Sequence, residues 1–450
     1  MARIRKIALV QTVRAELSRQ QLGLGTPSLK AYLDLVAPGQ FEVEIYLDSD
    51  FIENRRWEDA SFDMVGVGTA SNLYNNAKRI AREVKAARGQ EVITLVGGAH
   101  ISALPESLNP DFDYGVIGEG EQTLHEFLLA HNAGASQEAK LAIPGIIGWQ
   151  DGAIRRAPKR KLLDSVEHLP SPDRTPNKQY GITPQMILSR GCPFNCDFCT
   201  NNLIWERRVR RPSPEKVVRE MADLIEAFPD MRVIQILDDV MFFNKTYLSQ
   251  IIDIARSVSP KVLEIPKYGY SQVNVLTPDF VRTLLEFNVG LVQCGFESGS
   301  DRVLGILKSG HATVQQNQRA IDVCTSLGLP IGGNLMLASP DETMEDLQMT
   351  LDFVRRNKDS GNEAFFSFTT FTPFPGTRYW DMIRESLGDT ADFDWRRLED
   401  LGYSGYRLSF PEASIRDWWA SRKERGLIYM GSYGEEDFQD KLESNIQYFV

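Results

Sequence analysis

The chain has little cysteine, little histidine and no long apolar run. Five cysteines and five histidines occur among its 450 residues, and an odd number of cysteines argues against a disulfide framework. No uninterrupted apolar stretch reaches the roughly 18 residues that a membrane span needs. The start, with a short apolar run at Ile7–Val10, is too brief for a signal peptide. We therefore expect a cytoplasmic protein without a membrane span.

Positive charge is also in deficit. Sixty-one acidic residues stand against 50 Lys and Arg, so the formal net charge is -11. A surface of this sign should repel a phosphate backbone, which makes nucleic acid a disfavoured partner. The hydrophobic share of 42% and the charged share of 25% are ordinary for a globular protein. The length suffices for two or three domains with large cores.

Apolar runs alternate with amphipathic stretches through residues 1–145. This alternation predicts parallel strands joined by crossover helices, that is, an α/β Rossmann-like doubly wound sheet. Glycines follow three of the strands, at the edge where such sheets bind ligands, so a binding crevice and simple tight turns are both open interpretations. The predicted strands are Lys6–Gln11, Phe41–Leu47, Met64–Gly68, Glu91–Val96 and Tyr114–Ile117, and the predicted helices are Pro27–Val36, Asn72–Ala87 and Gln122–His131.

A second alternating series begins after residues 146–183, which read as a hairpin at Ile146–Arg155 followed by a proline-rich linker. Six strand and helix units fill residues 184–390. Six units are too few for an eight-fold barrel, so we expect a partial (β/α)6 TIM-type barrel with its site at the carboxyl ends of the strands. Residues 391–450 are expected to be mostly helical. The predicted barrel strands are Pro184–Ser189, Arg232–Leu237, Glu264–Tyr270, Gly290–Phe296, Ile331–Leu337 and Ala364–Phe371.

Three of the five cysteines lie within eight residues, just after the first predicted barrel strand. Cys192, Cys196 and Cys199 form a loop whose thiolates suit a soft metal centre, and a cubane iron–sulfur cluster with three protein ligands leaves one iron open. Structural zinc needs a fourth ligand, and no histidine lies nearby in the sequence. Strand alternation and helical spacing place the remaining two, Cys294 and Cys324, in the core.

The cysteine loop, with Phe198 before its third cysteine, resembles the signature of the radical S-adenosylmethionine (SAM) superfamily. The N-terminal domain resembles the cobalamin (B12)-binding domain found in one branch of that superfamily. The motifs that carry the resemblance, besides the cysteine loop, are Val96–His100, Gly115–Glu121, Leu237–Asp239, Gly295–Ser300 and Thr372–Thr377.

The resemblance implies cofactors and site residues. Cys192, Cys196 and Cys199 would bind three irons of a [4Fe–4S] cluster, and SAM would chelate the fourth iron. The residues expected to contact SAM are Phe198, Asp238, Asp239, Glu297 and Ser298. Many members carry Gly-Gly-Glu in place of the two aspartates, which leaves the individual roles of Asp238 and Asp239 open. No catalytic side chain is implied beyond the residues that hold cofactors.

The resemblance leaves open whether cobalamin is bound. The chain lacks the Asp-x-His-x-x-Gly segment that supplies a lower histidine ligand, and the loop at residues 69–74 is expected near the lower face instead. His100 either touches the corrin or its tail, or only forms loop hydrogen bonds. The domain either retains cobalamin or has kept the fold and lost the cofactor. The expected cobalamin contacts are Thr69, Asn72, Gly97, Gly98, His100, Gly118, Glu119 and Gly120.

The implied activity is radical chemistry on a small molecule or natural product. A 5′-deoxyadenosyl radical from SAM would abstract hydrogen from an unactivated carbon, and methylcobalamin would then supply a methyl group. The alternative without cobalamin is dehydration or deoxygenation, deamination, or cyclisation, for example of an amino sugar. An electron donor such as flavodoxin or ferredoxin is the expected partner. Carboxylates at the barrel mouth would suit a cationic substrate; these are Asp238, Asp239, Asp341 and Glu342.

Two further function classes stay open. One is tRNA or RNA modification, because a basic run follows the cysteine loop, although it also reads as a solvated edge. The other is a non-catalytic cobalamin carrier, which the complete barrel pattern disfavours. The basic run consists of Arg207, Arg208, Arg210 and Arg211.

Overall fold

The computed structural model describes residues 3–13, 22–58, 61–337, 339, 342–360, 364–387 and 393–395. The chain forms two compact units. The first contains Met1–Gln185 together with Leu387–Arg397, and the second contains Met186–Ser386 together with Leu398–Val450. The expected helical region 391–450 lies, apart from residues 393–395, outside the described residues. No helix in the described ranges is long and apolar enough to cross a membrane.

The first unit contains seven strands: β1 (Lys6–Gln11), β2 (Glu42–Leu47), β3 (Met64–Gly68), β4 (Ile93–Gly97), β5 (Tyr114–Val116), β6 (Ile146–Gln150) and β7 (Ala153–Arg156). They form one sheet in the order β2-β1-β3-β4-β5-β6-β7. The pairs from β2 to β5 are parallel, whereas β6 and β7 pair antiparallel. The predicted doubly wound parallel sheet is confirmed, and the predicted hairpin extends the same sheet.

The helices of the first unit are α1 (Gly25–Val36), α2 (Asp48–Glu53), α3 (Tyr74–Arg88), α4 (Ala99–Ala103), α5 (Gly120–Asn132), α6 (Gln137–Leu141) and α7 (Thr175–Tyr180). Leu33 of α1 and Phe127 of α5 pack in one buried cluster with Leu9 of β1, because their apolar faces meet the apolar side of the sheet.

The proline-rich segment expected as a linker is fastened to the first unit. The backbone N–H of Asp173 donates to the carbonyl of Pro27 at 3.1 Å, and the Tyr180 hydroxyl donates to Asp50 at 2.7 Å. Proline restricts the backbone and so predicts an irregular segment, but it does not tell whether that segment is docked.

The second unit contains six strands: β8 (Gln185–Met186), β9 (Ile234–Ile236), β10 (Lys267–Ser271), β11 (Val289–Glu297), β12 (Ile331–Leu337) and β13 (Ala364–Thr370). They lie side by side in chain order, and the pairs from β9 to β13 are parallel. This is the expected partial barrel. Several strands are shorter than predicted, because apolar loop residues extend the pattern beyond the hydrogen-bonded ladder.

Helices surround these strands: α8 (Asn201–Trp205), α9 (Pro214–Ala227), α10 (Lys245–Val258), α11 (Lys261–Glu264), α12 (Pro278–Glu286), α13 (Asp301–Leu307), α14 (Val314–Ser326), α15 (Met344–Asp359) and α16 (Arg378–Leu387). The main core joins strands and helices and includes both remaining cysteines, Cys294 of β11 and Cys324 of α14, at 0% exposure. Their predicted role as core thiols is confirmed.

Candidate cofactor sites

The three clustered cysteines lie on the loop between β8 and α8. Gly191 opens this loop with φ of 100°, and a β-carbon there would overlap the carbonyl oxygen of Arg208. The backbones of Arg190 and Arg210 exchange hydrogen bonds of 2.9 and 3.0 Å. The chain that returns after α8 therefore fixes the start of the cysteine loop, and only glycine fits at this point.

All three thiols are partly buried and close enough to influence one another. Burial raises the pKa of Cys192 and of Cys199 to about 11, and that of Cys196 to about 12. Each of these pKa values is raised further by the charge of another cysteine of the loop. The loop therefore brings the three sulfurs together in one place.

The donor set fits an iron–sulfur cluster better than a single ion. Within the described ranges, no group of three His, Cys, Asp or Glu side chains is arranged to hold one metal ion. In a cubane each cysteine binds a different iron, so the thiols stand farther apart than the ligands of one zinc ion. Soft thiolate ligands without a fourth protein ligand match a [4Fe–4S] cluster with one open iron.

The two neighbouring aspartates have different surroundings. Asp238 is 2% exposed, accepts hydrogen bonds from the Leu188 N–H at 2.7 Å and the Ser189 hydroxyl, and has its pKa raised to about 7 by burial. Asp239 is exposed and accepts from Asn201 at 2.7 Å. Asp238 therefore holds the chain after β8. The exposed Asp239 side chain also accepts from the Gly191 backbone and the Trp205 side chain, and burial of its carboxyl raises its pKa.

Asp239 lies beside the thiols. Its charge raises the pKa of both Cys192 and Cys199, which places its carboxylate near both sulfurs. Of the two aspartates, Asp239 is the better candidate for the amino group of SAM.

Glu297 reaches the same place from β11. The pairing of β11 with β12 shifts register between Gly295 and Glu297, and Glu297 has a left-handed backbone with φ of 57°. Lys308 donates to the Glu297 carboxylate and to the Gly295 carbonyl, both at 3.0 Å. The charge of Glu297 raises the pKa of Cys196 and Cys199. Glu297 and Asp239 thus both lie near Cys199.

The strand before Glu297 directs its apolar side chains into the core, as the sequence predicts for Cys294. Cys294 and Phe296 are buried in the core, and Phe296 packs edge-on against Phe353 of α15. Simple alternation did not anticipate the bulge that turns the backbone at Glu297, because nothing in a single sequence marks a non-glycine residue as left-handed.

The other two expected SAM contacts, Ser298 and Phe198, both pack against neighbouring elements of the second unit. Ser298 is 0% exposed; its hydroxyl bonds that of Thr350 at 3.1 Å and accepts from the Ser300 N–H at 3.1 Å. Phe198 is half-buried and packs with a cluster that includes Leu307 and Tyr379. Ser298 faces α15, so any effect on SAM passes through the position of Glu297, while Phe198 fixes the end of the cysteine loop.

A segment after α13 supports the cysteine loop from one side. The Asp197 N–H donates to the Leu307 carbonyl at 2.9 Å, and the Ser309 hydroxyl donates to the Asp197 carboxylate at 2.8 Å. Nε2 of His311 lies 3.6 Å from the Cys196 sulfur. Sequence reasoning missed Lys308 and His311, although His311 is the only histidine after residue 185.

The carboxyl edge of the first sheet brings together several of the expected cobalamin contacts. The Thr69 N–H donates to the Gly97 carbonyl at 3.0 Å, and the His100 N–H donates to the Thr69 carbonyl at 3.4 Å. Gly98 has φ of 101°, and a β-carbon there would lie 2.5 Å from the Thr69 oxygen and 2.9 Å from its nitrogen. The loops after β3 and β4 are therefore in direct backbone contact.

His100 is closed off within this edge. It is 0% exposed, and its ring nitrogens bond the hydroxyls of Ser71 at 3.0 Å and Ser107 at 2.8 Å. Its ring centroid lies 4.0 Å from that of Tyr74 and 4.4 Å from that of Trp395. Burial lowers the pKa of His100 to about 3. These contacts favour the interpretation of His100 as a loop hydrogen-bonding residue.

The loop after β5 contains one residue with free space beside it and two that pack against other parts of the first unit. Gly118 has φ of 77° and nothing within 4 Å of a β-carbon position. Glu119 is 7% exposed, and its carboxylate accepts from the Leu163 N–H at 2.8 Å. Gly120 begins α5 against Leu29. Gly118 therefore offers space for a ligand, whereas Glu119 holds the chain after the hairpin.

A cavity of about 710 Å³ lies at the same edge, next to the loop that contains Thr69 and Asn72. It is bounded by residues that follow β1, β2 and β3, and Asn76 donates to Asp48 at 2.7 Å in its wall. Its walls combine apolar, hydrogen-bonding and charged side chains, which suit the amide groups at the rim of a corrin ring. None of the eight expected cobalamin contacts lines it, but Leu73 directly follows Asn72 in the same loop. The lining residues are Val13, Asp48, Ser49, Ile52, Glu53, Arg55, Trp57, Leu73, Asn76, Arg79 and Glu83.

Two regions of this chain match known protein families. Residues 186–354 match the model of the radical SAM superfamily, and residues 30–128 match that of the B12-binding domain. An uncharacterized methyltransferase of Pyrococcus horikoshii is 31% identical over 349 residues, which are 75% of this chain and 73% of that protein. Bacteriochlorophyllide d C-8(2)-methyltransferase of Chlorobaculum tepidum is 26% identical over 383 residues, 82% of this chain and 78% of that protein.

Solved structures share the fold. Two structures of the radical SAM methyltransferase TsrM from Kitasatospora setae, one with cobalamin and a [4Fe–4S] cluster and one with tryptophan substrate and a SAM analogue, give TM-scores of 0.71 and 0.72. They are 18% and 19% identical, and the matches cover 90% and 92% of this chain and 83% and 88% of those chains. The chain belongs to the radical SAM superfamily, in the branch with a B12-binding domain, and is an enzyme whose cofactors are a [4Fe–4S] cluster, SAM and cobalamin.

Proposed function

We propose that the protein is a C-methyltransferase acting on an unactivated carbon of a small molecule. The observation that carries the proposal is that the thiol loop and an open cavity at the B12-type sheet edge occur in one chain. Relatives named as methyltransferases support it. When bound, the cluster and SAM supply a hydrogen-abstracting radical, and cobalamin supplies the methyl group.

The residues of the second unit position SAM and limit its movement. Asp239 and Glu297 present carboxylates near Cys199, where they suit the amino and hydroxyl groups of SAM. Lys308 holds the Glu297 carboxylate in place. Asp238 and Ser298 are buried, and their hydrogen bonds fix the backbone that carries Asp239 and Glu297.

Changing Glu297 to glutamine is expected to weaken SAM binding about tenfold, since a charge-assisted hydrogen bond is worth about 1.5 kcal/mol. Iron and sulfide content should stay at the wild-type level. Isothermal titration with SAM, on protein with its cluster reconstituted, measures the effect.

The matched control is Lys308→Met, which breaks the same buried ion pair but keeps the carboxylate. It should lower the free energy of unfolding by about 3 kcal/mol, because Glu297 loses its partner, while weakening SAM binding less than Glu297→Gln does. Equal SAM affinity in wild type and Glu297→Gln, or a larger loss in Lys308→Met, would contradict a direct contact with SAM.

The methyl-transfer proposal is tested without knowledge of the substrate. Protein purified anaerobically with hydroxocobalamin should retain it in stoichiometric amount together with iron and sulfide. After reduction and addition of SAM with a labelled methyl group, the label should appear on the protein-bound cobalamin. Failure to retain cobalamin, with 5′-deoxyadenosine still formed, would instead favour elimination, deamination or cyclisation.

A cationic substrate stays a prediction, and fewer of the four carboxylates named for it are available to bind one. Asp238 is buried and engaged, and Glu342, at 0% exposure, accepts from the Ser339 N–H at 2.9 Å. Asp341 lies outside the described residues. Among the described carboxylates named for this role, Asp239 is therefore the exposed one.

The basic run after the cysteine loop is partly structural. Arg210 is 5% exposed and lies over the Trp205 ring, and Arg211 lies 4.3 Å from the Phe243 ring centroid. Arg207 and Arg208 are exposed, and Arg207 donates to the Pro193 carbonyl at 3.2 Å. Two exposed charges beside the cluster loop suit an acidic electron carrier such as flavodoxin or ferredoxin better than an extended RNA.

A further inference from the structure

His311 brings a side-chain nitrogen within hydrogen-bond distance of one of the three clustered cysteines. Its Nε2 is 3.6 Å from the Cys196 sulfur, within hydrogen-bond range for the larger sulfur atom. The two residues are 115 positions apart in the chain, so the fold rather than local sequence creates this contact.

The imidazole is held in this orientation on two sides. The His311 N–H donates to the Lys308 carbonyl at 3.1 Å, which closes the turn after α13. The ring stacks on Phe194 of the cysteine loop, with centroids 5.5 Å apart and planes at 26°. Asp197 links the same two segments through Leu307 and Ser309. The turn after α13 and the cysteine loop therefore hold each other in position.

An iron-bound thiolate carries no proton, so it accepts a hydrogen bond and cannot donate one. Hydrogen bonds to the sulfurs of an iron–sulfur cluster stabilise its more negative, reduced state and raise its reduction potential. We propose that His311 donates a hydrogen bond from Nε2 to the Cys196 sulfur and raises the reduction potential of the cluster, which makes the electron needed for SAM cleavage easier to accept. This inference rests on the cluster of the proposed function and is independent of methyl transfer.

The test is a potentiometric titration of anaerobically reconstituted protein without SAM, followed by the electron paramagnetic resonance signal of the reduced cluster. In His311→Phe, which keeps a ring against Phe194 but has no N–H, the ratio of reduced to oxidised cluster at a fixed potential should fall about tenfold, or about 59 mV for one electron. His311→Gln keeps a donor nitrogen and should stay close to wild type. His125→Phe, a half-buried histidine of the first unit, is the matched control and should leave the potential unchanged.

Iron and sulfide are counted in each variant first, since only loaded protein reports a potential. A fully loaded His311→Phe that titrates at the wild-type potential would overturn the proposal, and so would a His311→Gln shifted as far as His311→Phe. Loss of the cluster from both variants would also overturn it, because His311 would then be a structural residue. A wild-type protein that binds no cluster would instead contradict the proposed function, on which this inference rests.

Discussion

Replacing Cys199 with alanine is expected to remove the iron–sulfur absorbance and to abolish SAM cleavage. Two thiolates would remain, and a cubane with a single open iron for SAM needs three. The structure adds a second reason, because Cys199 is the thiol whose pKa is raised by both Asp239 and Glu297. Its loss would remove the thiol that feels the charge of both candidate SAM-binding acids.

The measurement is iron and sulfide content, visible absorbance, and 5′-deoxyadenosine formed with a chemical reductant under anaerobic conditions. Cys324→Ala is the matched control, since Cys324 is 0% exposed in the core. It should lower the free energy of unfolding by about 1 kcal/mol and leave cluster and cleavage intact. A Cys199→Ala variant that forms 5′-deoxyadenosine at the wild-type rate would show that the cluster has been misplaced.

Replacing Gly98 with alanine should reduce cobalamin affinity by about tenfold or more. Gly98 has φ of 101°, and its β-carbon would meet the Thr69 backbone oxygen at 2.5 Å. A backbone contact of this kind cannot be relieved by rotating a side chain, so the loop after β3 must move. That loop continues into Leu73, which lines the cavity at the sheet edge.

The control variant separates the steric clash at Gly98 from the general cost of placing alanine at a positive φ. Gly89 has φ of 57°, and nothing lies within 4 Å of its β-carbon position. Gly89→Ala should therefore lose stability, by about 1 kcal/mol, without losing cobalamin. Binding is measured by titrating hydroxocobalamin, with iron content as a check on the second unit. Equal cobalamin affinity in Gly98→Ala and Gly89→Ala would place the ligand away from this edge.

Much of the fold follows from the sequence because apolar periodicity reports which face of an element is buried. The strand Lys6–Gln11 agrees with prediction residue for residue, as does Ile331–Leu337. Other boundaries differ by a few residues, since burial extends beyond the ladder. The docking of the segment around Asp173 and Tyr180 was not predictable, because it depends on partners far away in the sequence.

The candidate site was predictable where one motif holds the chemistry and not where two segments meet. Three cysteines within eight residues can be recognised as a metal-binding motif from the sequence alone. Asp238 and Asp239 are adjacent and chemically identical, and only the strand end decides that the first is buried and the second open. Lys308 and His311 carry no local pattern, since their partners lie on β11 and on the cysteine loop.

Trp395 makes the first unit discontinuous along the chain. It is 0% exposed and packs on Tyr74 and His100, yet the whole of Met186–Ser386 is translated between these partners. Domains usually fold in order as they leave the ribosome. Here the aromatic layer of the first unit stays incomplete until Met186–Ser386 has been made, so the B12-binding half reaches its final packing only after most of the barrel has been synthesised.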